Sequence, residues 1–183
     1  MLLTPGAGAN RDHATLRALE DGLAPLPVRR MDFPYRRAGR KAPDRAPVAV
    51  AAVRDEAAEL VVTVGCRPNR LVLGGRSYGG RMCSLAVADG LPAAGLVLLS
   101  YPLHPPGRPD RLRTEHFGAL SVPCLFVSGR RDTFGAPEEL EAATQAIPGP
   151  VTHVWLSGGH DPKGQDDTIV EAVRSWLADL PAT

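Results

Sequence analysis

Short apolar runs alternate along the chain with longer segments in which apolar residues recur every three or four positions. The apolar runs predict buried strands over residues 1–3, 28–33, 71–73, 96–99, 123–128 and 151–156. The periodic segments predict helices near residues 16–23, 47–64, 78–89, 137–147 and 169–180. Continuously apolar strands separated by helices are typical of a parallel sheet that is covered on both faces and joined by right-handed crossovers. We therefore predict an α/β fold, a three-layer α/β/α sandwich around a mostly parallel sheet of about six strands.

Two of the predicted connections are long, namely residues 34–46, which are basic, and residues 102–122, which are rich in proline. Neither is long enough to form a separate lid domain. A length of 183 residues suits one domain, so we predict a single domain over residues 1–183. Because the chain starts inside its first predicted strand, the sheet is expected to have a reduced N-terminal edge, without the hairpin that many sheets of this type carry.

The composition is that of an ordinary globular protein, with 44% hydrophobic and 22% charged residues. A formal net charge of +1 argues against a dedicated nucleic-acid binder. The longest uncharged apolar run, residues 93–103, is interrupted by Gly95 and Pro102 and is shorter than the ~20 residues of a membrane span. No signal peptide is recognisable, so we predict a cytoplasmic protein with no nucleic-acid or membrane partner.

The cysteines Cys66, Cys83 and Cys124 are odd in number and have no C-x-x-C spacing. That pattern argues against a disulfide framework and against a zinc site. All three lie among apolar residues, so we interpret them as small side chains of the core.

A glycine-rich sequence between a predicted strand and a predicted helix contains the pattern G-x-S-x-G at Gly75, Ser77 and Gly79. This pattern is typical of a nucleophilic serine on a sharp strand-to-helix turn, with its hydroxyl exposed above the sheet. The helix that follows supplies positive potential and the free amide of Tyr78. A phosphate-binding P-loop is not predicted, because no Lys-Ser or Lys-Thr follows the glycines. The remaining alternative is a turn whose glycines only permit tight packing.

At this point the sequence resembles the α/β-hydrolase superfamily, in its small, lidless, dienelactone-hydrolase-like branch. It is most similar to the group that contains the hydrolase-like domain of a chromatin NSL-complex subunit and its bacterial relatives. The matching residues span nearly the whole chain in the expected order: Thr4-Pro5-Gly6-Ala7-Gly8-Ala9, Asp32-Phe33-Pro34-Tyr35, residues 74–80, Val127-Ser128-Gly129-Arg130-Arg131-Asp132 and Gly158-Gly159-His160. The resemblance implies the α/β-hydrolase fold, and it implies the chain order serine, acid, histidine for a catalytic triad.

Asp132 follows the strand over residues 123–128, where the superfamily places its acid. Asp110, in the loop after the preceding strand, is the alternative acid. His160 follows the last strand and two glycines, which favours it as the base that activates Ser77. The other histidines have simpler explanations at a helix start, within a strand or in the long loop: His13, His153, His104 and His116.

Acyl transfer also requires donors for the oxyanion. We expect the amides of Tyr78 and Ala7 in that role, with Gly6 and Gly8 allowing close approach of the substrate. Many superfamily members have a histidine before the first of these glycines, whereas this chain has Pro5. The support that a histidine side chain would give this turn is therefore predicted to be missing.

The absence of a lid predicts an open, shallow pocket that suits small substrates. Arg76 and Arg81, beside Ser77 and one turn after it, are candidates for binding an anionic substrate; the alternative is that they pair with nearby acids. His104 is a further candidate for the pocket wall. A basic cluster in the first long loop is interpreted as a solvated surface, or as a docking site for an acidic partner: Arg36, Arg37, Arg40, Lys41 and Arg45.

The sequence thus predicts a serine hydrolase that cleaves a small soluble ester, lactone or thioester, with Ser77 as nucleophile, His160 as base and Asp132 as orienting acid. No metal and no organic cofactor is implied. A monomer or a small homo-oligomer is expected. The alternative is a non-catalytic hydrolase-like domain that binds a protein partner, since fold does not imply activity.

Overall fold

The computed structural model describes residues 1–180 of the chain. Its strands are β1 (Leu2–Thr4), β2 (Arg29–Arg30), β3 (Val72–Arg76), β4 (Gly95–Leu99), β5 (Cys124–Gly129) and β6 (Val151–Leu156). They form one six-stranded sheet in the order β2-β1-β3-β4-β5-β6. Each neighbouring pair is parallel. The predicted parallel α/β sheet is confirmed, with no lid domain within residues 1–180.

Six helices connect and cover the strands: α1 (Ala14–Gly22), α2 (Pro34–Arg37), α3 (Ala46–Val64), α4 (Tyr78–Ala88), α5 (Pro137–Thr144) and α6 (Asp166–Ala178). Short 3₁₀ turns lie at Pro68–Arg70 and Phe117–Ala119. The side chains of α1 and α6 pack on one face of the sheet, and those of α3 and α4 pack on the other. This arrangement is the predicted three-layer sandwich.

The two faces of the sheet explain why its strands are apolar throughout. In β4, Leu96 and Leu98 point into the layer of α3 and α4, whereas Val97 and Leu99 point into the layer of α1 and α6. Side chains alternate between the faces of a strand, so a sheet covered on both faces needs an apolar residue at every position. That requirement produces the continuous apolar runs from which the strands were predicted.

The structure differs from the predicted pattern around the edge strand. The strand predicted over residues 28–33 contains only Arg29–Arg30, which pair with Leu2 and Leu3 of β1. The pairing is short because its partner β1 has only three residues, and the Met31 amide makes the last contact, donating to the Leu3 carbonyl at 3.0 Å. The following loop opens with the short helix α2, whose first residue, Pro34, has the backbone angle that a helix start requires. Cys83 and Cys124 are buried as predicted, whereas Cys66 is only half-buried.

Candidate active site

Ser77 occupies the single-residue turn between β3 and α4 with φ 50° and ψ −117°. A positive φ is uncommon outside glycine and persists only where the surroundings impose it. Two hydrogen bonds hold the turn: the Ser77 amide donates to the Leu99 carbonyl at 2.8 Å, and the Arg81 amide donates to the Ser77 carbonyl at 3.0 Å. The serine is therefore fixed at the carboxyl end of β3, with α4 starting directly behind it.

The glycines on either side of Ser77 are required by the neighbouring strand β1. A Cβ atom at Gly75 would lie 2.8 Å from the Thr4 carbonyl oxygen, and one at Gly79 would lie 2.5 Å from the Pro5 carbonyl oxygen. Neither distance is compatible with a side chain unless the backbone moves. The pattern G-x-S-x-G thus reflects the close approach of the end of β1 to both sides of the turn.

Three polar side chains from three loops form a continuous hydrogen-bonded array. The His160 Nε2 atom lies 2.8 Å from the Ser77 Oγ atom, and the His160 Nδ1 atom lies 2.8 Å from Asp132 Oδ2. An imidazole placed in this way can accept the serine proton while the carboxylate holds its tautomer and orientation. The structure therefore brings together the serine, acid and histidine that the sequence singled out.

The Asp132 carboxylate is almost completely enclosed, with 1% of its side chain exposed. It also accepts a hydrogen bond of 2.9 Å from the amide of Phe134, so it organises its own turn as well as facing His160. The Phe134 ring stacks on the imidazole of His160 with a centroid separation of 4.1 Å. Together these contacts leave His160 little freedom to turn away from Ser77.

The loop that carries His160 is held from two directions. The Arg131 amide donates to the Gly158 carbonyl at 2.8 Å. The guanidinium of Arg76 donates to the His160 carbonyl at 2.8 Å and to the Asp161 carboxylate at 2.7 Å. Arg76, proposed from the sequence as a substrate contact or as the partner of an acid, is thus paired with an acid. It also borders the cleft above Ser77.

Ser77 and His160 open into a cleft of about 590 Å³. The turn Gly6-Ala7-Gly8 forms one wall and Phe134 another. Arg81 and Arg113 also line the cleft, as does His13 at the start of α1. Burial, with a smaller contribution from the charge of Arg76, lowers the pKa of His13. The serine is therefore accessible to a small molecule, and three arginines together with one acid, Asp161, line the cleft around it.

The turn Gly6-Ala7-Gly8 is stabilised by a hydrogen bond that the sequence did not predict. The hydroxyl of Tyr35 donates to the Ala7 carbonyl at 2.7 Å, and the Tyr35 side chain is fully buried. Burial raises the pKa of Tyr35, so the hydroxyl stays protonated and remains a donor. The ring of Tyr78, the first residue of α4, packs edge-on against Tyr35 at a centroid distance of 6.4 Å. Tyr35 therefore contacts both turns from which oxyanion donors were predicted.

His104 and Asp110, two further candidates from the sequence, do not contribute side chains to the site. His104 does not border the cleft: it is buried, its Nδ1 atom lies 2.9 Å from the Pro105 carbonyl oxygen, and its Nε2 atom faces Glu139. Its amide donates to the Phe134 carbonyl at 3.0 Å, so it acts on the cleft only through the backbone. Asp110, the alternative acid, is exposed and pairs with Arg108 at 3.2 Å.

Within residues 1–180, no group of three or more histidine, cysteine or acidic residues is arranged to hold a metal ion. No helix in the same range is both long and apolar enough to cross a membrane.

Several solved structures share this architecture. One is a protein of the alpha/beta hydrolase superfamily from Xanthomonas campestris pv. campestris, with a TM-score of 0.72, 19% identity and coverage of 98% of each chain. Another is Est1E from Butyrivibrio proteoclasticus with bound ferulic acid, with a TM-score of 0.71, 16% identity and coverage of 100% of this chain and 89% of the other. A third is the type II thioesterase BorB from the borrelidin biosynthetic cluster, with a TM-score of 0.66, 17% identity and coverage of 96% and 91%.

At these identities the solved structures establish the fold. A family model described as "Alpha/beta hydrolase domain" matches residues 1–174, which is almost the whole chain. With the parallel sheet and the serine at its strand-to-helix turn, this match shows that the protein belongs to the alpha/beta hydrolase family.

Proposed function

We propose that the protein is a serine hydrolase that cleaves a small carboxylic ester, lactone or thioester through an acyl-enzyme on Ser77. The observation that carries the proposal is the pair of 2.8 Å contacts that place His160 between Ser77 and Asp132. Contact between a serine and an imidazole can arise from packing alone and does not by itself indicate catalysis. A serine held at positive φ and aligned with a buried carboxylate through that imidazole has the geometry of nucleophilic catalysis.

In the first half of the reaction, the Ser77 Oγ atom attacks the substrate carbonyl while His160 Nε2 accepts the serine proton. Asp132 stabilises the imidazolium that forms and holds the proton on Nδ1. His160 then passes the Ser77 proton to the departing alcohol or thiol, leaving the acyl group on the serine. In the second half, His160 takes a proton from water, the resulting hydroxide equivalent attacks the acyl carbonyl, and the carboxylic acid leaves as Ser77 regains its proton.

The oxyanion of each tetrahedral intermediate is assigned to the amides of Ala7 and Tyr78. Tyr78 is the first residue of α4, where a helix leaves its amide without an intrahelical acceptor, and Ala7 borders the cleft opposite. Removing one such donor in a comparable enzyme costs about 10²–10³ in kcat. The hydrogen bond from Tyr35 to Ala7 takes over the support that a histidine at position 5 gives in other members of the superfamily.

The open cleft of about 590 Å³ favours a small acyl group over a long lipid chain. Ferulic acid bound to Est1E and the thioesterase activity named for BorB are consistent with small acyl substrates on this fold. The chemistry assigned to Ser77, His160 and Asp132 uses no metal and no organic cofactor.

A fluorophosphonate probe tests the proposal on the intact protein, because it reacts covalently with an activated serine. The wild type is expected to gain one label and to hydrolyse 4-nitrophenyl acetate, and Ser77→Ala is expected to lose both properties. Ser175→Ala, which removes an exposed serine on α6, is the matched control and is expected to behave as the wild type. A wild type without labelling and without turnover would favour the non-catalytic, partner-binding alternative.

A further inference from the structure

The two outer strands of the sheet differ in how they are protected from pairing with a further strand. The outer strand β2 has only two residues, and both are arginines in ion pairs: Arg29 lies 3.5 Å from Glu59, and Arg30 lies 2.7 Å from Glu20. Short edge strands and charged side chains are devices by which natural sheets avoid pairing edge to edge. The sheet is therefore closed at β2.

The outer strand on the opposite side, β6, carries none of these devices. Its six residues read Val-Thr-His-Val-Trp-Leu, without a lysine, an arginine, an acid or a proline. All six pair with β5 in one continuous register, so no bulge twists the strand away from a newcomer. Valine, threonine and tryptophan also favour extended strands. An edge strand of this length and composition is suited to pairing with another strand.

The register with β5 shows which backbone groups of β6 remain free. The carbonyls of Pro150 and Leu156 accept hydrogen bonds of 2.8 Å and 2.9 Å from amides at the two ends of β5. Backbone groups of successive residues point to alternate sides of a strand, so those of Val151, His153 and Trp155 point away from β5. Within residues 1–180, no strand lies on that side, and no backbone group outside the sheet bonds to these three residues.

A second copy of β6 fits this free edge in the antiparallel direction. A two-fold axis at His153 places this residue opposite its counterpart, and it places Val151 opposite Trp155 of the second copy. Each such pair exchanges two N–H···O=C bonds in an antiparallel ladder, so the three pairs would form about six hydrogen bonds. Because β6 has no charged residue, the pairing brings no like charges together within the strands.

The two faces of β6 also complement each other about this axis. On the α5 side, Val151 borders a hollow of about 330 Å³, and on the α6 side, Thr152 borders a hollow of about 410 Å³. Both hollows lie beside the amino-terminal half of the strand, whereas the bulky Trp155 lies in the carboxyl-terminal half. The antiparallel pairing sets Trp155 of the second copy beside Val151, and Val154 of the second copy beside Thr152. Apolar side chains of each copy then lie next to the hollows of the other.

We propose that the chain forms a two-fold symmetric dimer in which the β6 strands of two copies pair antiparallel about His153 and join the two sheets into one. A second copy is the occupant that fits this edge, because β6 is complementary to itself in charge, in backbone pairing and in the placement of its hollows. Since the paired strands run in opposite directions, the two clefts at the carboxyl ends of the sheets open away from each other. The dimer is therefore independent of the chemistry proposed for Ser77.

Sedimentation velocity over a concentration series tests the dimer on the full chain. The wild type is expected to reach twice the 19.4 kDa mass of one chain. Thr152→Lys and Thr152→Glu each place a charge on an exposed residue of the strand. The two copies of residue 152 are diagonal neighbours about 7–8 Å apart in the proposed ladder, so like charges there repel. Each variant alone is expected to show a dimer Kd at least about tenfold higher than the wild type.

An equal mixture of Thr152→Lys and Thr152→Glu is expected to regain dimers, because the introduced lysine then faces the introduced glutamate, a result that misfolding cannot produce. Val62→Lys, which adds the same charge at an 82% exposed residue of α3, is the matched control and is expected to dimerise as the wild type does. A monomeric wild type would leave the edge to a strand of a different protein and overturn the self-pairing. Unchanged dimerisation of Thr152→Lys, a mixture that stays monomeric, or an equal loss in Val62→Lys would each overturn it as well.

Discussion

The hydroxyl of Tyr35 donates a 2.7 Å hydrogen bond to the carbonyl oxygen of Ala7, across a sequence separation of 28 residues. The bond joins the start of the short helix α2 to the glycine turn after β1. A second contact extends the same support, because the Tyr35 amide donates to the Asp44 carboxylate at 2.8 Å and the Asp44 carbonyl accepts the Tyr78 hydroxyl at 2.7 Å. The segment from α2 to Asp44 therefore holds both turns to which the oxyanion donors are assigned.

Tyr35→Phe is expected to lower kcat by about tenfold on a neutral activated ester and to leave KM nearly unchanged, because the Ala7 turn loses its anchor but the cleft keeps its shape. Steady-state kinetics measures kcat and KM separately and so checks that only kcat falls. Thr144→Val is the control, since it removes the hydroxyl of a buried threonine that lies 3.0 Å from His153 Nε2, outside the cleft. Both variants are expected to lose about 1 kcal/mol of stability. An equal effect of the two substitutions on kcat would contradict a positioning role for Tyr35.

Asp132→Asn is expected to reduce kcat by about 10⁴, because an asparagine favours the wrong imidazole tautomer. The amide oxygen can still accept the hydrogen bond from the Phe134 amide, so the fold is expected to persist. Asp110→Asn is the matched control at an exposed carboxylate that pairs with Arg108. It is expected to keep the wild-type kcat/KM on the same ester. A large loss at Asp110 with little change at Asp132 would reassign the acid.

Gly75→Ala is expected to destabilise the protein by about 3 kcal/mol or more, because the new methyl group would lie 2.8 Å from the Gly80 amide nitrogen and close to Thr4. Gly118→Ala is the control, since a Cβ atom there meets nothing within 4 Å. It is expected to leave stability within about 0.5 kcal/mol. Urea unfolding measures both values, and a Gly75→Ala variant as stable as Gly118→Ala would show that the strand β1 can retreat from the turn.

The stability of the protein is expected to fall between about pH 6.5 and pH 4 partly because of His116. Burial lowers the pKa of His116 from 6.5 to about 4 in the folded state. The unfolded chain therefore binds a proton in this window that the folded protein does not, so the stabilising contribution is present above pH 6.5 and is lost as the pH falls. The shift corresponds to about 3 kcal/mol at most.

Urea unfolding near about pH 7.5 and about pH 4.5 checks this expectation with His116→Gln as the comparison, since glutamine does not titrate. The variant loses the 2.7 Å contact with Ser84 at every pH, but its stability is expected to depend less on pH than that of the wild type. Parallel pH dependences of the two proteins would mean that His116 does not contribute.

Most strands and helices could be predicted from the sequence because the patterns that indicate them are local. Continuous apolar runs mark strands buried on both faces, and three-to-four spacing marks the helices between them. The length of the edge strand β2 was overestimated, because Phe33 is buried and apolar but packs into the core outside the sheet. Burial is readable from composition, whereas hydrogen-bonded pairing depends on a partner strand elsewhere in the chain.

Several expectations from the sequence stay predictions. These are the single domain, the oligomeric state, the cytoplasmic location and the similarity to the NSL-complex subunit group.

The sequence by itself indicated the candidate nucleophile, and its resemblance to the superfamily implied the order in which the acid and the histidine follow. Gly75 and Gly79 mark the turn around Ser77, and in a parallel sheet the loops after successive strands emerge at one edge. Asp132 and His160 were therefore expected near Ser77 from their positions after two strands.

Only the tertiary structure decided which way the remaining loop side chains point. It placed His104 against α5, paired Arg76 with Asp161, and brought Tyr35, Phe134 and Arg113 to the site. Loop side chains follow no short-range periodicity, so their directions are set by packing between segments far apart in the chain. The strand pattern fixes where each loop leaves the sheet, and the contacts made after folding fix what each loop presents to the cleft.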